Sequence, residues 1–180
     1  MGKLGTREIV GTALMASIAV VLEILPLDIP FPLYQRVTLD PTGIPLMFAL
    51  YYYGLSSSVI ATLVTGLSIA LPRPPFRRAN PTGAFFKTFA ELSTILGVFL
   101  ILKFTKKGNR LLENISGAFF RLAVMTVVNY VFLPFFYGLS TKIVLKILPY
   151  LAIFNAVQAV LNIVSAQILF EAVKKRLKEI

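Results

Sequence analysis

The stretch TGIPLMFALYYYGLSSSVIATLVTGLSIAL, residues 42–71, is apolar for about 30 residues. As one helix it would reach about 45 Å, well beyond the roughly 30 Å hydrocarbon layer of a bilayer. It must therefore divide or tilt strongly. Gly54-Leu55-Ser56-Ser57-Ser58, directly behind the interfacial triplet Tyr51-Tyr52-Tyr53, is the natural break, so two short helices over 42–54 and 55–71 are expected.

Working outward, a first apolar run over 9–25 ends at Pro26, where a helix loses a backbone donor. Lys3 and Arg7 precede it as in a signal peptide, but no small-x-small cleavage site follows, and it reads as a retained span. Further spans are expected over 82–104, 111–137 and 147–173. The whole of 1–180 then reads as a single transmembrane domain, an all-α bundle of six membrane helices. Six crossings of about 20 residues consume about 120 residues, leaving no soluble domain in a chain of 180. Composition agrees: 57% of residues are hydrophobic and 14% charged, against about 25% charged in globular proteins. There is no internal repeat.

The inventory also excludes chemistries. Cys and His are both absent, so there is no disulfide, thiolate nucleophile or imidazole base, and no ordinary zinc, haem or iron–sulfur ligand set. No metal or cofactor is expected. No Gly-x-x-x-x-Gly-Lys-Ser/Thr loop is present to cradle a nucleotide, so any ATP-driven step needs a partner.

Two loops between spans are polar and proline-punctuated. The first, 25–41, holds Pro26, Asp28, Pro30, Pro32, Arg36 and Asp40, with apolar Ile29, Phe31, Leu33 and Tyr34 that favour an ordered flap. The second runs from Pro72 to Pro81. With the N-terminus in the cytoplasm, ten Lys and Arg fall inside, six outside and two within spans. The positive-inside bias thus puts both termini in the cytoplasm and both proline-rich loops outside. That distribution accounts for the net charge of +10 without any nucleic-acid partner.

Polar residues within the spans are the functional candidates. On the last helix Asn155, Gln158, Asn162 and Ser165 share one face, a pattern open to interhelical hydrogen bonding or to lining a cavity. On the fourth, Lys87, Glu91 and Thr94 also share a face, and Arg121 lies at comparable depth on the fifth. Glu91 has two candidate partners, Lys87 and Arg121. The expectation is that Arg121 neutralises Glu91 while Lys87 faces an outer cavity. Asn129 and Tyr130, with Phe85, Phe86, Phe89, Tyr150 and Phe154 at a similar level, complete an aromatic pocket with a few placed amides, suited to a flat heterocycle. The first helix carries Ala13, Ala16 and Ser17, small residues that let another helix approach, inside the bundle or on another subunit.

These pieces resemble the substrate-binding S components of energy-coupling factor (ECF) transporters, and within them the riboflavin-specific members. The resemblance covers nearly the whole chain. It rests on Ala13-Leu14-Met15-Ala16-Ser17, on Leu39-Asp40-Pro41-Thr42-Gly43-Ile44-Pro45 and on Tyr53-Gly54. It continues through Thr82-Gly83 with Ala90-Glu91-Leu92, Asn129-Tyr130 with Leu133-Pro134, and Leu148-Pro149 with Phe154-Asn155. Two positions depart from the riboflavin-type pattern. Gln158 stands where a Lys is usual, and Thr38-Leu39-Asp40 where Lys-x-Asp is usual.

The resemblance implies a multi-pass subunit of the cell membrane that captures a vitamin outside under the closing first loop, then reorients. A transmembrane coupling subunit, docked on the first three helices, and two cytosolic ATPases would drive the cycle. Riboflavin would be the transported ligand and not a cofactor. Ligand contacts carried over are Leu39, Asp40, Asn80, Thr82, Lys87, Glu91, Asn129, Tyr130, Asn155 and Gln158, while Ala13, Ala16 and Ser17 would face the coupling subunit. The same features leave room for another vitamin or precursor as ligand, or for a structural membrane subunit. A membrane enzyme is disfavoured, since no carboxylates sit at metal-ligand spacing.

Overall fold

The computed structural model describes residues 5–73, 75, 77–105 and 109–178. Within them lie six helices: α1 (Thr6–Ile24), α2 (Gly43–Tyr53), α3 (Leu55–Ala70), α4 (Pro81–Phe104), α5 (Arg110–Tyr137) and α6 (Thr141–Lys178). Of the basic groups counted for orientation, Lys3, Lys106 and Lys107 fall outside the described residues.

Local chemistry sets the boundaries. Gly54 separates α2 from α3 with φ of 93°, a conformation that costs residues other than glycine, so the uncharged stretch divides where the sequence places the break. Asn80 caps α4, its side chain accepting from the Gly83 N–H at 2.8 Å, and Pro81 follows at the first helical position. Asn109 caps α5 in the same way at 3.2 Å, and Gly138 ends that helix in the left-handed region. The last helix starts six residues before the span expected at 147 and accommodates Pro149 internally.

Helix α5 lies between α4 and α6; α1 packs on α2 and α3, and α2 also reaches α6. Met47 and Leu50 of α2, Ile95 and Val98 of α4, and Ala159 and Ile163 of α6 form the main apolar core. Around it the usual distribution is reversed. Glu91, Arg121, Asn129, Asn155, Gln158 and Asn162 are buried, whereas Phe104, Phe135, Leu111 and Ile168 are at least 62% exposed. A polar interior under an apolar surface of this extent is the signature of a protein solvated by lipid, and the chain is a membrane protein. Three helices, Pro81–Phe104, Arg110–Tyr137 and Thr141–Leu177, are long and apolar enough to cross alone. The 11 residues of α2 extend only about 16 Å; α2 starts beside Glu23 near the end of α1 and ends beside Arg7 near its start, and α3 returns to the loop at Asn80, so the two form an antiparallel hairpin.

Candidate functional site

The first loop folds over one end of the bundle. Ile29–Pro30 (β1) pairs antiparallel with Thr38–Leu39 (β2), Ile29 opposite Leu39, a small ribbon in a molecule expected to be all-α. Its tip is pinned to α6: Phe31 meets the Phe154 ring edge-on at 5.6 Å, and Tyr34 stacks on Tyr150 at 6.5 Å. Arg77 of the second loop reaches Asp28 at 3.4 Å and ties the two loops together.

The base of the flap is held by charge. Lys87 Nζ donates to Asp40 Oδ1 at 2.9 Å and also to the Glu23 carboxylate near the end of α1. Thr42 Oγ1 donates to the same Glu23 carboxylate at 3.3 Å. One ammonium therefore joins α1, α4 and the flap. Gln158 clasps the Asp40 backbone from both sides, accepting from its N–H at 3.2 Å and donating to its carbonyl at 2.6 Å. Burial opposes ionisation of Asp40, but the Lys87 ammonium, its hydrogen bond and the one from the Thr42 N–H outweigh it and hold the carboxyl below its ordinary value.

Beneath the flap a buried polar network begins. Arg121 Nη1 donates to Glu91 Oε1 at 2.8 Å and to Thr94 Oγ1 at 3.5 Å, while Nε donates to Asn155 Oδ1 at 3.2 Å. Asn162 Nδ2 reaches both Glu91 oxygens at 3.3 and 3.4 Å, and Gln158 Nε2 donates to Asn162 Oδ1 at 3.0 Å. The expected pairing of Glu91 with Arg121 is what the geometry has. The chain passes over this network at Gly43, where a Cβ would lie 1.9 Å from Asn162 Nδ2 and 2.6 Å from Glu91 Oε2.

Between flap and network lies a cavity of about 620 Å³, a volume within the range of small-molecule sites. Its deep end carries Arg121 and Asn155; its middle is apolar, with Met125, Phe86, Leu151 and Phe154; Asn129 projects from one wall; Tyr34, Thr38 and Asp40 roof it. On α5 the lining residues Arg121, Met125, Asn129, Leu133 and Tyr137 recur every fourth position, one helical stripe running from floor to mouth.

Of the residues proposed from sequence, Asp40, Lys87, Asn129 and Asn155 line this cavity. The others are outside its lining. Leu39 and Thr82 are half-buried and outside the lining. Asn80 is an exposed helix cap, Glu91 is enclosed by Arg121 and Asn162, Tyr130 is 45% exposed on the outer surface, and Gln158 is committed to the flap backbone and Asn162. Sequence reading missed Glu23, whose signal was an acid near the end of an apolar span. It took Arg121 as a counter-ion without assigning it to the lining.

A second cavity of about 650 Å³ runs along α1 and α3 and is lined by Ile9, Ala13, Ser17, Val21, Ile60 and Val64 among others. Ala13 and Ser17 are exposed on it. Ala16 belongs to the same lining, but it is 3% exposed and clusters with Ala19, Leu46 and Ala61, so it also packs within the bundle.

The fold of this six-helix bundle is one already known in solved structures. The fold matches the S component of a bacterial ECF transporter with a TM-score of 0.79, over 96% of this chain and 98% of that one, at 24% identity. In sequence the chain is 27% identical over 134 residues to the riboflavin transporter RibU of Staphylococcus aureus (strain TCH60), covering 74% of this chain and 68% of that protein. No protein-family model matches. The likeness carried by the motifs therefore holds: the chain resembles an S component of an ECF transporter, of the riboflavin-specific kind.

Proposed function

We propose that this chain is the substrate-binding S component of an ECF-type transporter in the cell membrane and that its ligand is riboflavin. The observation that carries the reading is the cavity under the flap, whose apolar, aromatic lining includes the amides of Asn129 and Asn155. Asn129 is only 6% exposed, lines the cavity and makes no side-chain hydrogen bond among the described residues, so its amide is left for a ligand. A flat heterocycle with donors and acceptors on its edge would meet it. The similarity to RibU supports riboflavin as that heterocycle.

In this reading Asn129 and Asn155 contact the ligand, and Asp40 and Lys87 hold the flap shut over it. Both termini face the cytoplasm, and ligand arrives from outside on the flap side. Reorientation occurs against a transmembrane coupling subunit that docks on the exposed Ala13 and Ser17, with two cytosolic ATPases supplying energy. No catalytic step is assigned to the chain.

The test is an absorption spectrum of protein purified gently from rich medium, with mass spectrometry of what denaturation releases, followed by titration of stripped protein with riboflavin. Stoichiometric flavin is the expected result. A different released vitamin would replace the ligand, and no ligand after titration with a vitamin panel would overturn the reading.

A further inference from the structure

The donor inventory at the floor of the cavity leaves one pair of donors over. A guanidinium has five N–H donors. In Arg121, Nε serves Asn155, and Nη1 serves Glu91 and Thr94. Nη2 donates to no described residue, yet it is not among the buried atoms sealed without a partner, and Arg121 belongs to the cavity lining. The unused arm of the fork therefore keeps contact with the void. We propose that Arg121 is a ligand-contacting and specificity-determining residue, its Nη2 donating to a neutral carbonyl acceptor at the deep end of the bound heterocycle.

The acceptor is neutral because the guanidinium charge is already met by Glu91 at 2.8 Å. A second carboxylate or a phosphate would add an unpaired negative charge to a nearly dry site. The arm is fixed before the ligand arrives, since the bonds on Nε and Nη1 hold the planar group in one orientation. Asn155 is fixed with it. Its Oδ1 accepts from Arg121 and its Nδ2 donates to Leu151 O at 2.8 Å, so one amide hydrogen is left for ligand. The atoms left without any partner at the floor, Arg121 Nη2 and the second Asn155 amide hydrogen, are donors, whereas Asn129 offers a donor and an acceptor. A ligand carrying an acceptor at its buried end is selected over one carrying a donor there, because the latter would leave both sides unpaired.

This inference rests on the proposed riboflavin reading, and the experiment separates the two. Binding of riboflavin and of its 2-thio and 4-thio analogues, in which one ring carbonyl is a weaker acceptor, is measured by flavin fluorescence quenching for wild type and Arg121→Lys. Lysine keeps the charge opposite Glu91 but has no second arm. Wild type is expected to bind riboflavin and to bind one thio analogue more weakly. In R121K, riboflavin affinity is expected to fall about 10- to 100-fold, the range for a hydrogen bond to a charged group, and the gap to that analogue should close. If R121K does not fold, the charge-free pair Glu91→Gln with Arg121→Met gives the same two readouts. Unchanged riboflavin affinity overturns the inference, and so does a loss that preserves the gap, which would mean that Arg121 acts only by holding Glu91. Wild type that fails to bind riboflavin overturns the reading beneath it instead.

Discussion

At the scale of single residues, the site depends on one buried ion pair. Glu91 and Arg121 are 2% and 5% exposed at their side chains, so removing one leaves the other ionised in a poorly solvated place. Glu91→Gln should therefore destabilise the bundle by about 3–5 kcal/mol, whereas Glu91→Gln with Arg121→Met should recover most of that loss; thermal unfolding in detergent measures both. Gly43→Ala tests the close passage over the same network. Its Cβ would lie 1.9 Å from an Asn162 amide already held by Glu91 and Gln158, and a cost of about 1–3 kcal/mol is expected from overpacking. Much of this was legible. Buried ionisable residues stand out in an apolar chain, and helical spacing put Lys87 with Glu91 and Asn155 with Gln158. What spacing could not supply is the direction of each side chain across the bundle. Tyr130 follows Asn129 directly, yet faces lipid while its neighbour faces the cavity, because adjacent residues on a helix differ by about 100°.

At the scale of elements, the flap and its latch decide access to the site. Replacing Lys87 by Met would leave Asp40 and Glu23 as facing carboxylates without their shared cation. Ligand dissociation should accelerate about tenfold or more, and amide exchange across 29–40 should rise, readable by stopped-flow and by mass spectrometry. The pH dependence has a definite sign. Asp40 is held below 3.8 in the folded protein, so its contribution is fully present above that value and is lost as pH falls through the lower folded one. With respect to this latch, binding should be flat between about pH 5 and 8 and should weaken only under strong acid. The ordered flap was foreseeable from its apolar residues, but the ribbon was not, since two-residue strands carry no period. For α1, Ala13→Leu should impair uptake and spare binding. Ala16→Leu should lower both, because it places three extra heavy atoms against Ala19, Leu46 and Ala61; uptake assays beside binding titrations distinguish the two.

At the scale of the molecule, the bundle's insertion is the point to test. The native chain has no Cys, so single cysteines can be introduced without background. Ser140→Cys, at the flap end, should react with an impermeant maleimide added to intact cells. Asn109→Cys, at the start of α5, should react only after permeabilisation. The reverse pattern would invert the proposed topology. The division at Gly54 was visible in the sequence because only one residue type suits that backbone. The crossings were harder to read individually, since only three helices are long and apolar enough to stand out alone.

The shared ammonium of Lys87 also has a kinetic meaning. Because the flap is held by two carboxylates on one cation and by both sides of Gln158, it swings aside only when those contacts are broken together. The observed association rate should then rise with ligand concentration and level off at the opening rate of the flap, so capture would be timed by the protein's own breathing and not by how often ligand strikes it.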